Sequence, residues 1–79
     1  MRRTLPSLQA LLCFEAAAKH CSYTHAAQSL FMTQSAVSRQ IQQLEEFLGI
    51  ALFTRTRHGV ELTHAGQQYY QSIKPYLIG

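Results

Sequence analysis

One stretch of the chain, residues 33–48, constrains the fold more than any other. Its aliphatic side chains recur at i, i+4, i+7 and i+11, at Val37, Ile41, Leu44 and Leu48. At about 100° per residue these positions form one narrow stripe, which is typical of an amphipathic helix packed on a core. Thr33 precedes the stripe and can cap the helix, because its hydroxyl can accept a hydrogen bond from an unpaired backbone N–H. The pattern therefore predicts a helix over residues 33–48.

The opposite face of this helix is polar and carries no carboxylate before Glu45 and Glu46. Its side chains are those of Ser35, Ser38, Arg39 and Gln42. Arginine pairs with guanine, glutamine with adenine and serine with either, so such a face suits the major groove of DNA. A solvent-exposed helix face with no partner fits the same periodicity. The segments on both sides of the helix decide between these two interpretations.

Two shorter helices are predicted before this one. Pro6-Ser7 begins an amphipathic helix that runs to about Lys19 and has its apolar side chains at Leu8, Leu11, Leu12, Phe14, Ala17 and Ala18. A second helix follows from Thr24 to about Leu30, with Ala27 and Leu30 inward and with either Ser22 or Thr24 as its cap. Phe31-Met32 is expected to be an apolar turn that packs into the core. The whole stretch from Tyr23 to Gln42 thus has the plan of a helix-turn-helix.

After Gly49, which suits the left-handed position at the end of a helix, the hydrophobic period changes. Short apolar runs on either side of the basic segment TRTRHG, residues 54–59, predict a two-stranded β-hairpin. Arg55, Arg57 and His58 are expected at its tip. A charged hairpin tip is often only solvated, but beside a helix-turn-helix it can act as a wing that sets arginine against phosphates or into a minor groove.

The last segment begins at Thr63, a further possible cap, and has a broad apolar stripe. This stripe is wide for a terminal helix on a chain of 79 residues. We expect one edge to pack on the domain and the excess to form a homodimer interface, through Tyr69, Tyr70, Ile73, Tyr76 and Leu77. The alternative is that the whole stripe packs within the chain. Pro75 is expected either to kink this helix or to end it near residues 72–74.

Size and composition limit the classes of protein that fit. A chain of 79 residues with 47% hydrophobic residues can form one small globular domain. Its net charge of +3 permits binding to a nucleic acid. Cys13 and Cys21 lie about 12 Å apart along one helix at 1.5 Å per residue, which is too far for a disulfide and favours a reducing cytoplasm. The opening residues lack a signal-peptide pattern, and no apolar run has the length of a membrane span.

Catalysis, metal binding and cofactor binding find little support in the sequence. The four histidines are scattered, and neither a glycine-rich phosphate loop nor a nucleophile motif occurs. A metal site of Cys13, His20, Cys21 and His25 can be imagined, but the paired ligand spacings of such sites are missing. A buried cysteine that acts as a small apolar residue is the simpler interpretation. A winged helix that binds a protein instead of DNA is the remaining alternative.

At the level of single residues the chain resembles the N-terminal domain of the LysR-type transcriptional regulators. The residues that carry the resemblance are Leu11, Phe14, Ser22, Ala26, Ala27 and Leu30, then residues 33–41, 44–46, 48–55 and 62–66. Within the family, the opening LPSLQALLCFEAAAKH resembles the group of the glycine-cleavage and β-lactamase regulators. The resemblance implies a mainly α, winged helix-turn-helix fold over residues 1–62, with three helices and a two-stranded β-hairpin wing. Residues 63–79 would be the start of a linker and dimerisation helix, although Pro75 departs from the unbroken helix usual in the family.

The resemblance also implies a bacterial transcription regulator that binds double-stranded DNA as a dimer or tetramer, on an interrupted inverted-repeat operator. A small-molecule inducer would bind only to a second domain, which these 79 residues do not include. Helix 33–48 would enter the major groove, and the wing, residues 54–59, would lie on the backbone or in the minor groove. By position, the residues near DNA would be Ser22, Thr24, Thr33, Gln34, Ser35, Ser38, Arg39 and Gln42, with Arg55, Arg57 and His58 in the wing.

The two adjacent acids of the long helix form a separate hypothesis. Glu45 and Glu46 lie near its C-terminus, where negative charge opposes the helix dipole. We therefore expect one of them to pair with Arg55 and to fix the wing relative to helix 33–48. The alternative is that both acids are solvated.

Overall fold

The computed structural model describes the backbone of residues 7–78 and the side chains of residues 7–75. Over this part of the chain the elements are α1 (Leu8–His20), α2 (Tyr23–Leu30), α3 (Gln34–Leu48), β1 (Phe53–Thr56), β2 (Gly59–Leu62) and α4 (His64–Ile78). The two strands form one antiparallel sheet. The predicted winged helix-turn-helix plan is confirmed. None of the described helices has both the length and the apolar character that crossing a membrane requires.

Hydroxyl side chains begin the first three helices, as the sequence indicates. Each accepts a hydrogen bond of 3.1 Å from the backbone N–H three residues later. These caps are Ser7, Ser22 and Thr33, so the cap of α2 is Ser22 and not Thr24. Helix α3 ends at Gly49, whose φ of 74° is the left-handed conformation expected there.

The turn between α2 and α3 differs from the prediction at Phe31. This residue is the C-cap of α2, with a left-handed φ of 58°, and its side chain is 96% exposed. Met32 alone packs against the core, with its sulfur 3.8 Å from the sulfur of Cys13. The prediction that Phe31 packs inward is wrong, because the left-handed residue reverses the chain and leaves the inward position to Met32.

The inward face of α1 also differs from the prediction. Its buried side chains are those of Ala10, Cys13, Phe14, Ala16 and Ala17. Leu8 and Leu12, which were expected inside, are 64% and 38% exposed. Small residues take the inner positions because α1 meets the equally small Ala26 and Ala27 of α2 in one buried cluster. The larger leucines therefore lie at the edge of the helix contact.

A second cluster joins α1 to the hairpin and α4. Its centre is Phe14, whose ring lies 5.5 Å from the rings of Phe53 and Tyr69 and 6.1 Å from that of Tyr70. Leu44 and Leu52 are buried in the same cluster. Edge-on contacts between aromatic rings stabilise such a cluster beyond the area they bury. The base of the wing and the first half of α4 therefore share one support.

Helix α4 is continuous through Pro75 and reaches Ile78. Of the two alternatives for Pro75, a kink or an end near residues 72–74, the second is therefore excluded. Thr63 caps its start, since its Oγ1 accepts from the N–H of Gly66 at 2.9 Å and donates to the carbonyl oxygen of Ala51 at 2.7 Å. Pro75 lacks the N–H that would bond one turn back, so the helix loses one hydrogen bond at that position.

The apolar stripe of α4 is used in part within the chain. Tyr69, Tyr70 and Ile73, expected in a dimer interface, are half-buried and pack against the cluster around Phe14. The side chains of Tyr76 and Leu77 lie outside the described residues. Of Tyr69, Tyr70 and Ile73, only the surface that stays exposed is therefore available for contact with a second copy of the chain.

Gly66 allows α4 to pass close to the end of the segment before β1. We predict that Gly66→Ala lowers the free energy of unfolding by about 1–3 kcal/mol, because an added Cβ would overlap the backbone carbonyl oxygen of Leu52. Helix propensity alone predicts the opposite sign, a gain of about 1 kcal/mol. Urea unfolding followed by circular dichroism at fixed protein concentration measures the change. Gln68→Ala, on an exposed position of the same helix, is the control. Equal or higher stability for Gly66→Ala would contradict the prediction.

Candidate nucleic-acid interface

Helix α3 presents its polar face outward because its apolar stripe is buried. Val37, Ile41 and Leu44 are at most 1% exposed. On the opposite side the described side chains form an open ridge, which we call the α3 ridge: Gln34, Ser35, Arg39 and Gln42 are exposed, and Ser38 is half-buried. Hydroxyl, amide and guanidinium groups are the groups that read base edges in a major groove.

Further hydroxyl groups stand at the starts of two helices, Thr33 at α3 and Ser22 and Thr24 at α2. Thr33 and Thr24 are exposed, and Ser22 is half-buried. Ser22 and Thr33 each accept a hydrogen bond from a backbone N–H as helix caps. Each hydroxyl keeps its own hydrogen as a donor, which is the group that a phosphate oxygen accepts.

The wing is a tighter hairpin than the sequence indicates. Segment 54–59 was predicted as a loop, but β1 runs to Thr56 and pairs directly with Gly59, so that only Arg57 and His58 form the turn. Arg55 therefore lies on a strand opposite Val60 and not at the tip, which corrects the prediction for this residue. All three basic side chains, those of Arg55, Arg57 and His58, are exposed.

The wing packs against the start of the helix-turn-helix. The N–H of Val60 donates to the carbonyl oxygen of Cys21 at 3.2 Å. Gly59 has a φ of 152°, and any Cβ at this position would overlap the same carbonyl oxygen. Strand β2 thus lies directly against the connection between α1 and α2, which only a glycine permits at this distance.

A cleft of about 260 Å³ separates the α3 ridge from the wing. Its lining side chains come from α2, α3 and both strands: Tyr23, Ser38, Gln42, Glu45, Phe53, Thr54, Arg55 and Val60. Two residues of the ridge and one wing arginine therefore share one polar cleft.

Glu45 is bound to the backbone at the base of the wing. Its Oε2 accepts from the N–H of Leu52 at 2.8 Å and from the N–H of Phe53 at 3.3 Å. Glu46 is exposed. The expected ion pair with Arg55 is replaced by these two backbone hydrogen bonds. The predicted link between α3 and the wing is present, but it is made through peptide N–H groups.

Tyr23 lines this cleft, although the sequence predicted it only as the first residue of the helix-turn-helix. Its ring meets that of Phe53 edge-on, with 5.7 Å between the ring centres. The pKa of Tyr23 is raised from 10.0 to about 12. Burial is the main cause, the charge of Glu45 contributes in the same direction, and Arg55 acts in the opposite direction. The sequence feature that could have identified Tyr23 as a cleft residue is its position directly after Ser22, the cap of α2.

The four residues of the alternative metal site do not converge. Cys13 is fully buried, and burial raises the pKa of its thiol, whereas His20, Cys21 and His25 are exposed. The imidazole rings of His20 and His25 are 6.4 Å apart between centres. Among the described residues no group of three potential ligands is close enough to hold a metal ion.

A carboxylate-poor reading helix after a tight turn, with a basic hairpin beside it, defines a DNA-binding domain of the winged helix-turn-helix class. Comparison with known families then narrows this class. The profile described as "Bacterial regulatory helix-turn-helix protein, lysR family" matches residues 8–67. The chain belongs to the LysR family of bacterial regulators.

Relatives of known name include two groups that the opening of the sequence indicates. The chain is 53% identical over 74 residues to the glycine cleavage system transcriptional activator of Escherichia coli K12, and this match covers 94% of the chain and 24% of the relative. It is 47% identical over 73 residues to the carbapenem-hydrolyzing β-lactamase transcriptional activator of Enterobacter cloacae, covering 92% and 24%. It is also 54% identical over 67 residues to the transcriptional activator AmpR of Pseudomonas aeruginosa, covering 85% and 22%. The chain thus spans about a quarter of the length of these relatives.

Solved structures of similar fold include DNA-binding domains bound to DNA. The BenM DNA-binding domain in complex with benA site 1 DNA has a TM-score of 0.84 and 41% identity, covering 90% of this chain and 80% of that chain. The CbnR DNA-binding domain in complex with DNA has a TM-score of 0.85 and 34% identity, covering 90% and 82%.

The raised pKa of Tyr23 predicts a pH dependence of stability. The folded chain holds the phenolic proton more tightly than the unfolded chain, so this contribution is complete below pH 10 and is lost as the pH rises from 10 to about 12. We expect Tyr23→Phe to remove part of the alkaline loss of stability in this range. Denaturant unfolding at a series of pH values, with tyrosinate absorbance, measures it. Tyr70→Phe, outside the cleft, is the control, and an unchanged profile for Tyr23→Phe would contradict the assignment.

Proposed function

We propose that the chain is the sequence-specific, double-stranded-DNA-binding domain of a bacterial LysR-type transcriptional regulator that acts in the cytoplasm and is not an enzyme. The observation that supports this most directly is the open α3 ridge, held outward by a buried apolar stripe and flanked by a docked basic wing. The DNA complexes of the BenM and CbnR domains, which have the same fold, also support it.

In the proposed complex α3 lies in the major groove. Ser35, Arg39 and Gln42 are at i, i+4 and i+7 and therefore follow one another along the same side of the helix. These three, with Gln34 and Ser38, face the base edges. Arginine and glutamine can each make two hydrogen bonds to one base, which gives most of the discrimination.

The remaining exposed groups contact the sugar–phosphate backbone. Thr33 at the start of α3, and Ser22 and Thr24 at the start of α2, donate hydroxyl hydrogens to phosphates. Arg57 and His58, at the turn of the wing, lie on the backbone or in the adjacent minor groove, and Arg55 adds positive charge from the cleft. Such contacts set the register of the protein on the duplex and make the affinity depend on salt.

The active form is proposed to be a homodimer on an interrupted inverted-repeat operator. Residues 63–79 would begin the linker helix, and its exposed edge, with Tyr76 and Leu77, would contact the second copy. A small-molecule inducer would act through a second domain outside residues 1–79. A dimer of identical subunits has two-fold symmetry, so its two α3 ridges recognise two half-sites of opposite orientation.

Selection of bound sequences from a random duplex pool tests the proposal as a whole. The expected result is enrichment of one sequence with two-fold symmetry. Recovery of unenriched sequences only, or of no duplex at all, would contradict sequence-specific binding.

Arg39 is the strongest candidate for a base contact. We expect Arg39→Ala to weaken binding by about 1–3 kcal/mol and to relax the preference at one position of each half-site. Titration of the preferred duplex and of single-base variants by fluorescence anisotropy measures both effects. Lys74→Gln on α4 removes one positive charge away from the ridge and is the control. A uniform loss over all duplexes would assign Arg39 to a phosphate.

Arg57 is expected to contact a phosphate. We predict that Arg57→Ala weakens binding to all duplexes alike and reduces the slope of log K against log salt by about 0.9. Arg57→Lys keeps the charge and should keep the slope. A flat salt dependence of the unsubstituted chain would instead favour a protein partner for the winged helix.

A further inference from the structure

We propose that Glu45 is the positioning residue of the wing, which it holds in the orientation for DNA contact before any DNA is bound. This inference rests on the proposed function of the wing. Among the described side chains that line the cleft, that of Glu45 is the one carboxylate. A negative charge beside a DNA-binding surface repels phosphates, so a contribution of Glu45 to binding has to come through the structure it supports.

The two hydrogen bonds of Glu45 are made where the hairpin begins. Leu52 is fully buried, and its N–H would lose its hydrogen-bond partner if the carboxylate were removed. An unpaired buried N–H is costly, and hydrogen bonds to a charged acceptor are about twice as strong as neutral ones. Because one oxygen, Oε2, takes both N–H groups, an amide oxygen in the same place can take them too, with less strength.

The hairpin is attached to the helix-turn-helix on both of its strands. At its start, β1 is bound to α3 through Glu45, and β2 is bound to the α1–α2 connection through the N–H of Val60. A two-stranded hairpin is only marginally stable alone. Its orientation relative to the α3 ridge is therefore set by these two attachments together with the packing of Phe53 on Phe14 and Tyr23. Loss of the Glu45 attachment loosens the strand that leads to Arg57 at the turn.

Order in the wing of the free chain tests this directly. Four forms are compared by ¹⁵N relaxation without DNA: the unsubstituted chain, Glu45→Ala, Glu45→Gln and Glu46→Ala. We expect Glu45→Ala to lower the heteronuclear NOE over residues 54–59 and to leave α1–α3 unchanged. Glu45→Gln should give a smaller loss, since its amide oxygen still accepts. Glu46→Ala, which removes an equal charge from the exposed neighbouring residue, should match the unsubstituted chain.

Affinity for the selected duplex distinguishes positioning by Glu45 from simple charge repulsion, because the two predict changes of opposite sign for Glu45→Ala. Loss of a repelling charge alone predicts tighter binding for both Glu45→Ala and Glu46→Ala. Positioning predicts that Glu45→Ala binds roughly ten-fold more weakly, that Glu46→Ala does not, and that adding Arg57→Ala to Glu45→Ala costs little more. Full additivity of the two substitutions would count against positioning.

Two outcomes overturn the proposal: equal wing order in Glu45→Ala and Glu46→Ala, or equal tightening of binding in both. If Glu45→Ala does not fold, Glu45→Gln decides, because faster hydrogen exchange at the N–H groups of Leu52 and Phe53 is then expected and an unchanged rate overturns the proposal. Failure of the unsubstituted chain to bind any duplex would refute the proposed function, whereas the NMR comparison decides on Glu45 independently of DNA.

Discussion

Burial of the aliphatic stripe of α3 determines the orientation of the α3 ridge. Val37, Ile41 and Leu44 are inaccessible to solvent or nearly so, and full burial of such a side chain contributes about 1.5–3 kcal/mol. A rotation of α3 by half a turn would expose this stripe and bury Arg39 without a partner. The polar ridge is therefore held outward by apolar contacts on the other side of the helix, and its own side chains remain free to bind.

Packing around a single aromatic residue joins the wing and α4 to the rest of the domain as one structural unit. The ring of Phe14 meets Phe53 at the start of β1 and Tyr69 and Tyr70 on α4. A chain of 79 residues has room for few such contacts, so one aromatic residue supports several elements. The first half of α4 is therefore part of the core and is also proposed to contact a second copy of the chain. The inner edge of its apolar stripe packs within the domain, and the outer edge would form the contact between copies.

Local signals predicted most of the fold, and contacts between distant residues account for what was missed. The α3 stripe and the caps Ser7, Ser22 and Thr33 depend on residues within one or two helical turns, and they are confirmed. Leu8, Leu12 and Phe31 were placed inside from hydrophobicity alone, but the close packing of alanines and a left-handed turn put them outside. The partners of Glu45 lie seven and eight residues further along the chain, beyond the end of α3. Because the chain leaves the helix at Gly49, no helical period relates Glu45 to these partners, so the sequence indicated the link to the wing but not its chemistry.

The composition of the ridge limits the discrimination between DNA sequences that one copy of the chain can supply. Arg39 is its one cation among the described side chains, and its other members are neutral hydroxyls and amides. Each good base contact is worth about 1–3 kcal/mol of discrimination, whereas specific regulators exceed their non-specific binding by about 4–10 kcal/mol. Two such contacts supply about 2–6 kcal/mol and three about 3–9 kcal/mol, so one ridge falls short of the upper end of that range. A second ridge related by two-fold symmetry doubles the base contacts, and a wing held in place before binding avoids the entropic cost of ordering it on the duplex.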